Sequence, residues 1–154
     1  MDDSLPLPAS RVREISARET WPVRHAVLRP GQPLSSCDYD IDSMPGSFHL
    51  GVFNGEDLVT IGSFYPDPHP ELDGTSQFRL RGMATLQSQQ GRGYGFKLLD
   101  EAVSRLRMQS CDMLWCNARV SAAGYYIKFG MQRIGEEFDI PNIGPHWLMY
   151  MRLD

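Results

Sequence analysis

Cysteine is scarce in this sequence. Its 154 residues include three cysteines, Cys37, Cys111 and Cys116, an odd number with no CxxC pair. Neither a disulfide framework nor a zinc site built from Cys and His ligands has this spacing. We therefore expect reduced thiols in a reducing compartment, and the cytoplasm is the simplest location.

Long apolar runs are missing as well. No stretch approaches the ~18 apolar residues that a membrane-spanning helix needs. The first residues, Met1-Asp-Asp-Ser, form neither a basic nor an apolar leader. These absences predict a protein that is neither exported nor embedded in a membrane.

The sequence also lacks an excess of positive charge. It has 15 Lys and Arg against 19 Asp and Glu, a formal net charge of −4. Without an overall basic field, a small molecule or a protein is a better expected partner than nucleic acid or an anionic membrane. The cations are unevenly spread, which indicates a solvated helix face or a surface that meets an anionic ligand. Five arginines fall within the first thirty residues, at Arg11, Arg13, Arg18, Arg24 and Arg29.

No internal repeat or linker divides the chain. Its composition, 42% hydrophobic and 22% charged, is that of an ordinary globular protein. Its length suits a single hydrophobic core. We predict one domain over residues 1–154, with a flexible, proline-containing leader at residues 1–10.

One group of acidic residues hints at a metal site. Asp38, Asp40 and Asp42 alternate as in a calcium-binding loop. The pattern then fails, because Ser43 stands at the required glycine position and His49 at the closing glutamate position. We predict no metal.

Turn residues divide the first half of the chain into short elements. Thr20 precedes Trp21-Pro22 and is placed to cap a helix, since proline is tolerated at the first helical position. Asn54-Gly55 favours a tight hairpin turn between two β-rich runs. The predicted elements are a strand over 11–17, a helix from Thr20 to about Pro30-Gly31, strands over 49–53 and 58–64, a loop over 66–75 and a strand over 77–85.

The second half alternates helices with strands. Apolar residues recur at helical spacing from Gly93 to about Ser110. Ser121 is placed to cap a further helix, and Gly130 stands where a helix C-cap belongs. The other predicted elements are a strand over 113–116, the end of that helix at Phe129, and strands over 131–138 and 147–151, the last covered on both faces. This order predicts a mixed sheet.

The segment Gln90-Gly91-Arg92-Gly93-Tyr94-Gly95 lies directly between a predicted strand and a predicted helix. Alternating glycines leave backbone N–H groups uncovered, and the helix directs its positive end at them, which favours a phosphate. A P-loop would need Lys-Ser or Lys-Thr after the last glycine, and Phe96-Lys97 follows instead. A GxGxxG dinucleotide loop would need glycine at position 96. Both alternatives fail.

The remaining pattern, Q-x-x-G-x-G, resembles the loop of the GNAT acetyltransferase superfamily. The strand Leu80–Thr85, the helix after the loop, the strand Leu114–Asn117 and the segment Ala122–Gly130 follow in that family's order and spacing. The chain departs from the family at Leu86-Gln87-Ser88, where proline is common, and at Met131, where phenylalanine often stands. The resemblance implies a single-domain α/β (α+β) fold: a mixed, largely antiparallel sheet of six to seven strands, splayed between the fourth and fifth, with about four helices.

The resemblance further implies that acetyl-CoA is the cosubstrate. Backbone N–H groups of the loop would bind its pyrophosphate, while main chain at Met83 and Thr85 would meet the pantetheine arm. An N–H near Met83 would bind the thioester oxygen as it becomes an oxyanion. Gly82 suits either a strand bulge or tight packing. The implied cofactor-binding residues are Met83, Ala84, Thr85, Gln90, Gly91, Arg92, Gly93, Tyr94, Gly95, Phe96, Asn117 and Tyr126.

The implied reaction is direct attack by a primary amine through a tetrahedral intermediate. Tyr126 matches the family's tyrosine that protonates the leaving thiolate, whereas Tyr125 matches a packing aromatic. Asn117 would support the site at a strand end, and Cys116 is expected to be a buried thiol rather than a nucleophile. The base is left open between ordered water and four side chains, His146, Glu136, Glu71 and His49.

Two other functions stay open alongside the enzyme. The chain could bind acyl-CoA as a sensor without transferring the acyl group, or it could be an interaction protein whose glycine loop is only a turn. The acceptor is an unidentified amine of a small molecule or peptide. Acidic residues in the loop from Asp67 to Asp73 would suit a basic acceptor. A homodimer is an assembly that the resemblance allows.

Overall fold

A computed structural model of the chain describes residues 10–154. The leader predicted over residues 1–10 therefore lies outside the described residues, except for Ser10. That residue begins the first strand and pairs with Asn54, so the prediction is wrong at its last position.

Seven strands form one mixed sheet, which confirms the predicted fold class. The strands are β1 (Ser10–Ile15), β2 (Phe48–Asn54), β3 (Asp57–Pro66), β4 (Gln77–Thr85), β5 (Met113–Arg119), β6 (Gln132–Ile140) and β7 (Gly144–Arg152). Their order across the sheet is β1-β2-β3-β4-β5-β7-β6. β1 pairs with β2, β5 with β7, and β6 with β7 in antiparallel fashion, whereas β4 and β5 are parallel. Two residues join β2 to β3, as the Asn54-Gly55 pattern predicts.

Three α-helices accompany the sheet within the described residues, where about four were expected. They are α1 (Trp21–Val23), α2 (Tyr94–Met108) and α3 (Val120–Phe129). The first predicted helix is broken into a 3-10 turn (Arg18–Thr20), α1 and a π-helical turn (Arg24–Leu28). Thr20 does not cap α1 with its side chain, because its hydroxyl donates to the Ala17 carbonyl. Three more 3-10 turns were not predicted, over Leu34–Cys37, Asp40–Ser43 and Gln87–Gln89.

The boundaries of α3 and of the last strands also differ from prediction. Arg119 is the N-cap of α3 and makes no side-chain cap bond, so Ser121 lies inside the first turn. Gly130 ends the helix as predicted, with its N–H bonded to the carbonyls of Tyr126 and Ile127. β7 is buried at Leu148 and Met149 but only half-buried at its neighbours on either side, so it is not fully covered on both faces.

Strand β4 contains one residue with a left-handed backbone, Gly82, whose φ is +63°. A Cβ added there would lie 3.6 Å from Arg24 Nε, 3.8 Å from Tyr39 Cε2 and 4.0 Å from Ser63 Oγ, all ordinary contacts. Backbone conformation rather than lack of space therefore requires the glycine, which favours a bulge over tight packing. The parallel register with β5 covers Gln77–Arg79 and Met113–Trp115, and β4 continues beyond it to Thr85.

By packing, the chain divides into two units. The first comprises the described residues up to Ser63 together with 82–102, and the second comprises 64–81 and 103–154. In the first, a buried cluster of apolar side chains joins β1, α1, β2, β3 and the end of β4, through Ile15, Val23, Phe53, Ile61 and Ala84. In the second, Leu114 and Met149 are fully buried on neighbouring strands.

We expect Gly82→Ala to lower the free energy of unfolding by about 1–2 kcal/mol, because a Cβ disfavours a left-handed backbone. Gly124→Ala is the matched control. Gly124 lies inside α3 with no atom near its added Cβ, so alanine should leave stability unchanged or raise it by up to about 1 kcal/mol. Urea unfolding of both variants checks this, and equal stabilities would contradict the strain assigned to Gly82.

Candidate active site

The glycine loop joins β4 to α2 and has the geometry of an anion-binding site. Gly91 and Gly93 have φ of +78° and +82°, and a Cβ on either would meet nothing within 4 Å. The hydrogen-bond ladder of α2 begins with the Lys97 N–H, which donates to the Gly93 carbonyl at 3.1 Å. The amides before Lys97 therefore point out of the positive end of the helix. An exposed loop with uncovered amides at this position suits a diphosphate.

The loop is fastened to the strands behind it. Gln90 Nε2 donates to the Thr85 carbonyl at 3.3 Å, and the Thr85 and Thr60 hydroxyls are 2.9 Å apart. Asn54 Nδ2 donates to Gln89 Oε1 at 3.4 Å. These bonds hold the loop against β2, β3 and β4, so its amides are fixed in advance of any ligand.

The other residues predicted to bind the cofactor in the first unit line the end of β4 and the start of α2. Met83 and Thr85 are half-buried, while Ala84 belongs to the apolar cluster. Gly95 is buried, whereas Tyr94 and Phe96 are half-buried. Arg92 is exposed in the loop. The structure thus brings the predicted strand end and loop together on one connection.

Tyr126 lies in α3 of the second unit and is 8% exposed. Burial raises the pKa of its hydroxyl well above the usual value, and the neighbouring Cys116 and Tyr125 raise it further. The hydroxyl is therefore protonated throughout the physiological range and can donate a proton. Tyr125, whose ring meets that of Tyr126 edge-on at 5.4 Å, is 41% exposed.

Two residues of β5 accompany Tyr126 in the second unit. Cys116 is buried with its Sγ 3.9 Å from Met131 Sδ, and burial raises the pKa of its thiol to about 12. A thiol with that pKa is a poor nucleophile at neutral pH, which argues against an acyl-cysteine intermediate. Asn117 is half-buried, and among the described residues nothing donates to its buried Oδ1. That oxygen can accept a hydrogen bond from a ligand.

His146 is the candidate base with the most suitable geometry. It is 4% exposed, and its Nδ1 lies 2.7 Å from the Gly144 carbonyl. Because a carbonyl only accepts, Nδ1 carries the proton, and the neutral ring keeps its lone pair on Nε2. The Phe138 ring lies 6.0 Å away, between centroids.

The other three candidate bases are less well placed. Glu136 is exposed within an irregular stretch of β6, and Glu71 is exposed in the proline-rich loop. His49 is buried, with Nδ1 2.7 Å from Ser63 Oγ and Nε2 3.9 Å from Asp42 Oδ1. Burial, and secondarily Arg24, lower the pKa of His49 against the opposing effects of Asp42 and Glu14.

Sequence reasoning missed the burial of Arg24. The arginines near the start of the chain were expected on a solvated helix face or on a surface that meets an anionic ligand, yet Arg24 is 0% exposed and bonded to Asp42. Asp42, which the sequence offered only as part of a failed calcium pattern, is the anion that accompanies it. The two residues are 18 positions apart, so no local pattern indicated the pair.

Within residues 10–154, no group of three or more His, Cys, Asp and Glu side chains is arranged to hold a metal ion. No helix in that range has the length and apolar character needed to cross a membrane.

Comparison with known proteins agrees with this geometry. A model of the acetyltransferase (GNAT) family matches residues 13–131. The uncharacterized N-acetyltransferase YitI of Bacillus subtilis (strain 168) is 44% identical over 142 residues, which cover 92% of this chain and 95% of the relative. A Lactobacillus plantarum protein assigned as an N-acetyltransferase has a TM-score of 0.76 at 18% identity, covering 94% of this chain and 99% of its own. A chain of the NatC complex bound to Gag peptide and CoA has a TM-score of 0.73 at 14% identity, covering 94% and 99%.

The solved structures, at these identities, show a shared fold. The family model spans more than half of the chain and the bacterial relative spans nearly all of it. The protein is therefore an acyltransferase by class. It belongs to the acetyltransferase (GNAT) family.

Proposed function

We propose that this protein transfers an acetyl group from acetyl-CoA to a primary amine of a small molecule or peptide. The observation that carries the proposal is the glycine loop, whose uncovered amides stand at the positive end of α2, one 3-10 turn after β4. The CoA in the NatC complex and the name of the bacterial relative support the same activity.

In this proposal the loop amides from Gly91 to Gly95 bind the pyrophosphate, and Arg92 adds a positive charge beside them. The Gln90 N–H, which was predicted to join these amides, already donates to the Gln87 carbonyl at 3.4 Å. Main chain at Met83 and Thr85 pairs with the pantetheine arm as an added strand would. Ala84 and Phe96 provide apolar contact, and Asn117 accepts a hydrogen bond through the Oδ1 that nothing described satisfies.

The chemistry proposed is direct attack by a neutral amine on the thioester carbonyl. His146 Nε2 accepts the proton of the amine, since its other nitrogen is occupied by the Gly144 carbonyl. Negative charge then develops on the carbonyl oxygen, which the Met83 N–H binds. The intermediate collapses as Tyr126 donates its proton to the departing thiolate.

A CoA sensor would bind acetyl-CoA without releasing thiol. The kcat of Tyr126→Phe distinguishes the two functions, since binding alone does not require a proton donor. The acidic loop gives little support to a basic acceptor. Asp67 lies 3.6 Å from Arg79 and Asp73 lies 2.8 Å from Arg152, so both carboxylates already face cations. A thiol-release assay across amines, polyamines, aminoglycosides and peptides identifies the acceptor that the kcat measurements require.

Gly93→Ala should weaken acetyl-CoA binding by tenfold or more, because the loop can no longer keep φ at +82° and turn its amides outward. Gly31→Ala is the matched control: its φ is +77°, and its added Cβ also meets nothing within 4 Å. Both variants strain a left-handed residue, and the control should keep its affinity. Calorimetry measures both, and no heat with the wild type would refute the proposed function.

Tyr126→Phe should lower kcat by about 10²-fold or more, the usual contribution of a positioned acid, with the Kd for acetyl-CoA unchanged. Because the raised pKa keeps Tyr126 protonated, the loss should be the same from pH 6 to pH 9. Tyr125→Phe should leave kcat near the wild-type value, since Tyr125 is more exposed and has no proton-transfer role. Equal kcat for the two variants would reject Tyr126 as the acid.

His146→Gln should lower kcat by about 10²-fold or more, because it removes the basic nitrogen while leaving an amide able to reach a carbonyl. His25→Gln is the control, since His25 also bonds a carbonyl, that of Gln32, through a ring nitrogen. Circular dichroism establishes that both variants are folded. A kcat within threefold of the wild type for His146→Gln would show that another group or water accepts the proton.

A further inference from the structure

Arg24 is a fully buried cation whose two Nη groups donate to a carboxylate, a backbone carbonyl and a hydroxyl. Its Nη1 and Nη2 donate to the two oxygens of Asp42 at 2.7 and 3.0 Å, a bidentate pair. Nη1 also donates to the Cys37 carbonyl at 2.8 Å, and Nη2 to Ser63 Oγ at 2.9 Å. A buried ion pair is rarely a better source of stability than apolar side chains of the same volume. Stability is therefore a weak explanation for this arginine.

The orientation of the pair indicates another role. The carboxylate of Asp42 lies at the Nη end of the guanidinium. The Nε end lies 3.6 Å from the point where a Cβ would stand on Gly82, the residue whose left-handed backbone favours a bulge in β4. The pair is neutral overall, but its positive end is nearer Gly82. Met83 directly follows Gly82.

The surrounding groups hold the guanidinium in this orientation. Tyr39 stacks on it, with Arg24 Cζ 4.0 Å from the ring centroid, and the Tyr39 N–H donates to Asp42 at 3.3 Å. Ser63 Oγ, which accepts from Arg24, lies 2.7 Å from His49 Nδ1. His49 is buried beside this cation, which disfavours a second positive charge.

We propose that Arg24 is a positioning residue for acyl transfer: it supports the left-handed backbone at Gly82 and directs positive potential toward the acyl carbonyl bound at Met83. The inference rests on the proposed function, which assigns the Met83 N–H to that oxygen. A fixed positive field matters most when negative charge develops on the oxygen, so it favours the transition state over bound acetyl-CoA.

The test replaces the ion pair with apolar side chains of similar size, Arg24→Met together with Asp42→Leu, which leaves no unpaired buried charge. Isotope-edited infrared spectroscopy of bound [1-13C]acetyl-CoA reports carbonyl polarisation without needing an acceptor. We expect the carbonyl stretch of the wild-type complex to lie below that of free acetyl-CoA. In the double variant it should return toward the free value, with kcat lower by about tenfold or more and the Kd for acetyl-CoA little changed.

The control changes an exposed pair, Arg152→Met with Asp73→Leu, and should keep the wild-type carbonyl stretch. A second variant, Asp42→Asn, retains the cation and weakens its counter-charge, so the carbonyl shift should equal or exceed that of the wild type. Asp42→Asn also tests the inference if the double variant does not fold. A wild-type shift in the double variant, or a smaller shift in Asp42→Asn, would overturn the inference. A wild type that binds no acetyl-CoA would instead refute the proposed function on which the inference rests.

Discussion

The connection from Gly82 to Gly95 departs from regular backbone conformation at two places, yet side-chain hydrogen bonds hold it in position. At Gly82 the strand takes a left-handed residue, and at Gly91 and Gly93 the loop takes two more. The departure at Gly91 and Gly93 leaves backbone N–H groups outside the hydrogen-bond ladder of α2, where a ligand can use them. Side-chain bonds from Gln90 and Thr60 to Thr85 keep the connection in place. The proposed cofactor site depends on this combination of irregular backbone and fixed position.

Burial sets the protonation states on which the proposed chemistry depends. The same loss of solvation that raises the pKa of Tyr126 and keeps it protonated also raises the pKa of Cys116 and keeps that thiol unreactive. For His49 it lowers the pKa, because there the charged form is the protonated one. Arg24 is buried as an ion pair with Asp42. Loss of solvation thus accounts for three different states: a protonated tyrosine, an inert thiol and a neutral imidazole.

The features that could be predicted from the sequence are those that depend on residues close together along the chain. Asn54-Gly55 specified a hairpin, and the spacing of apolar residues specified α2, because both signals are local. The fragmented helix at Arg18–Leu28 was not predictable in this way. Its geometry accompanies the burial of Arg24, whose partners Asp42 and Ser63 are 18 and 39 residues away along the chain. The predictions of a splayed sheet and of a catalytic tyrosine came from the resemblance to a family, since no local pattern indicates either.

Binding of a diphosphate through backbone amides affects how the acceptor can be identified. A diphosphate bound by amides constrains where glycine stands and where a helix begins, but leaves most side chains free to differ. Chains at 14–18% identity share the fold of this protein, and a shared fold leaves the side chains that meet an acceptor free to differ. Acceptor choice depends on those side chains, since specificity arises from differences in polar and apolar contacts. The 44% identical relative, matched over 95% of its length, is thus a better guide to the amine than any of the structural neighbours described above.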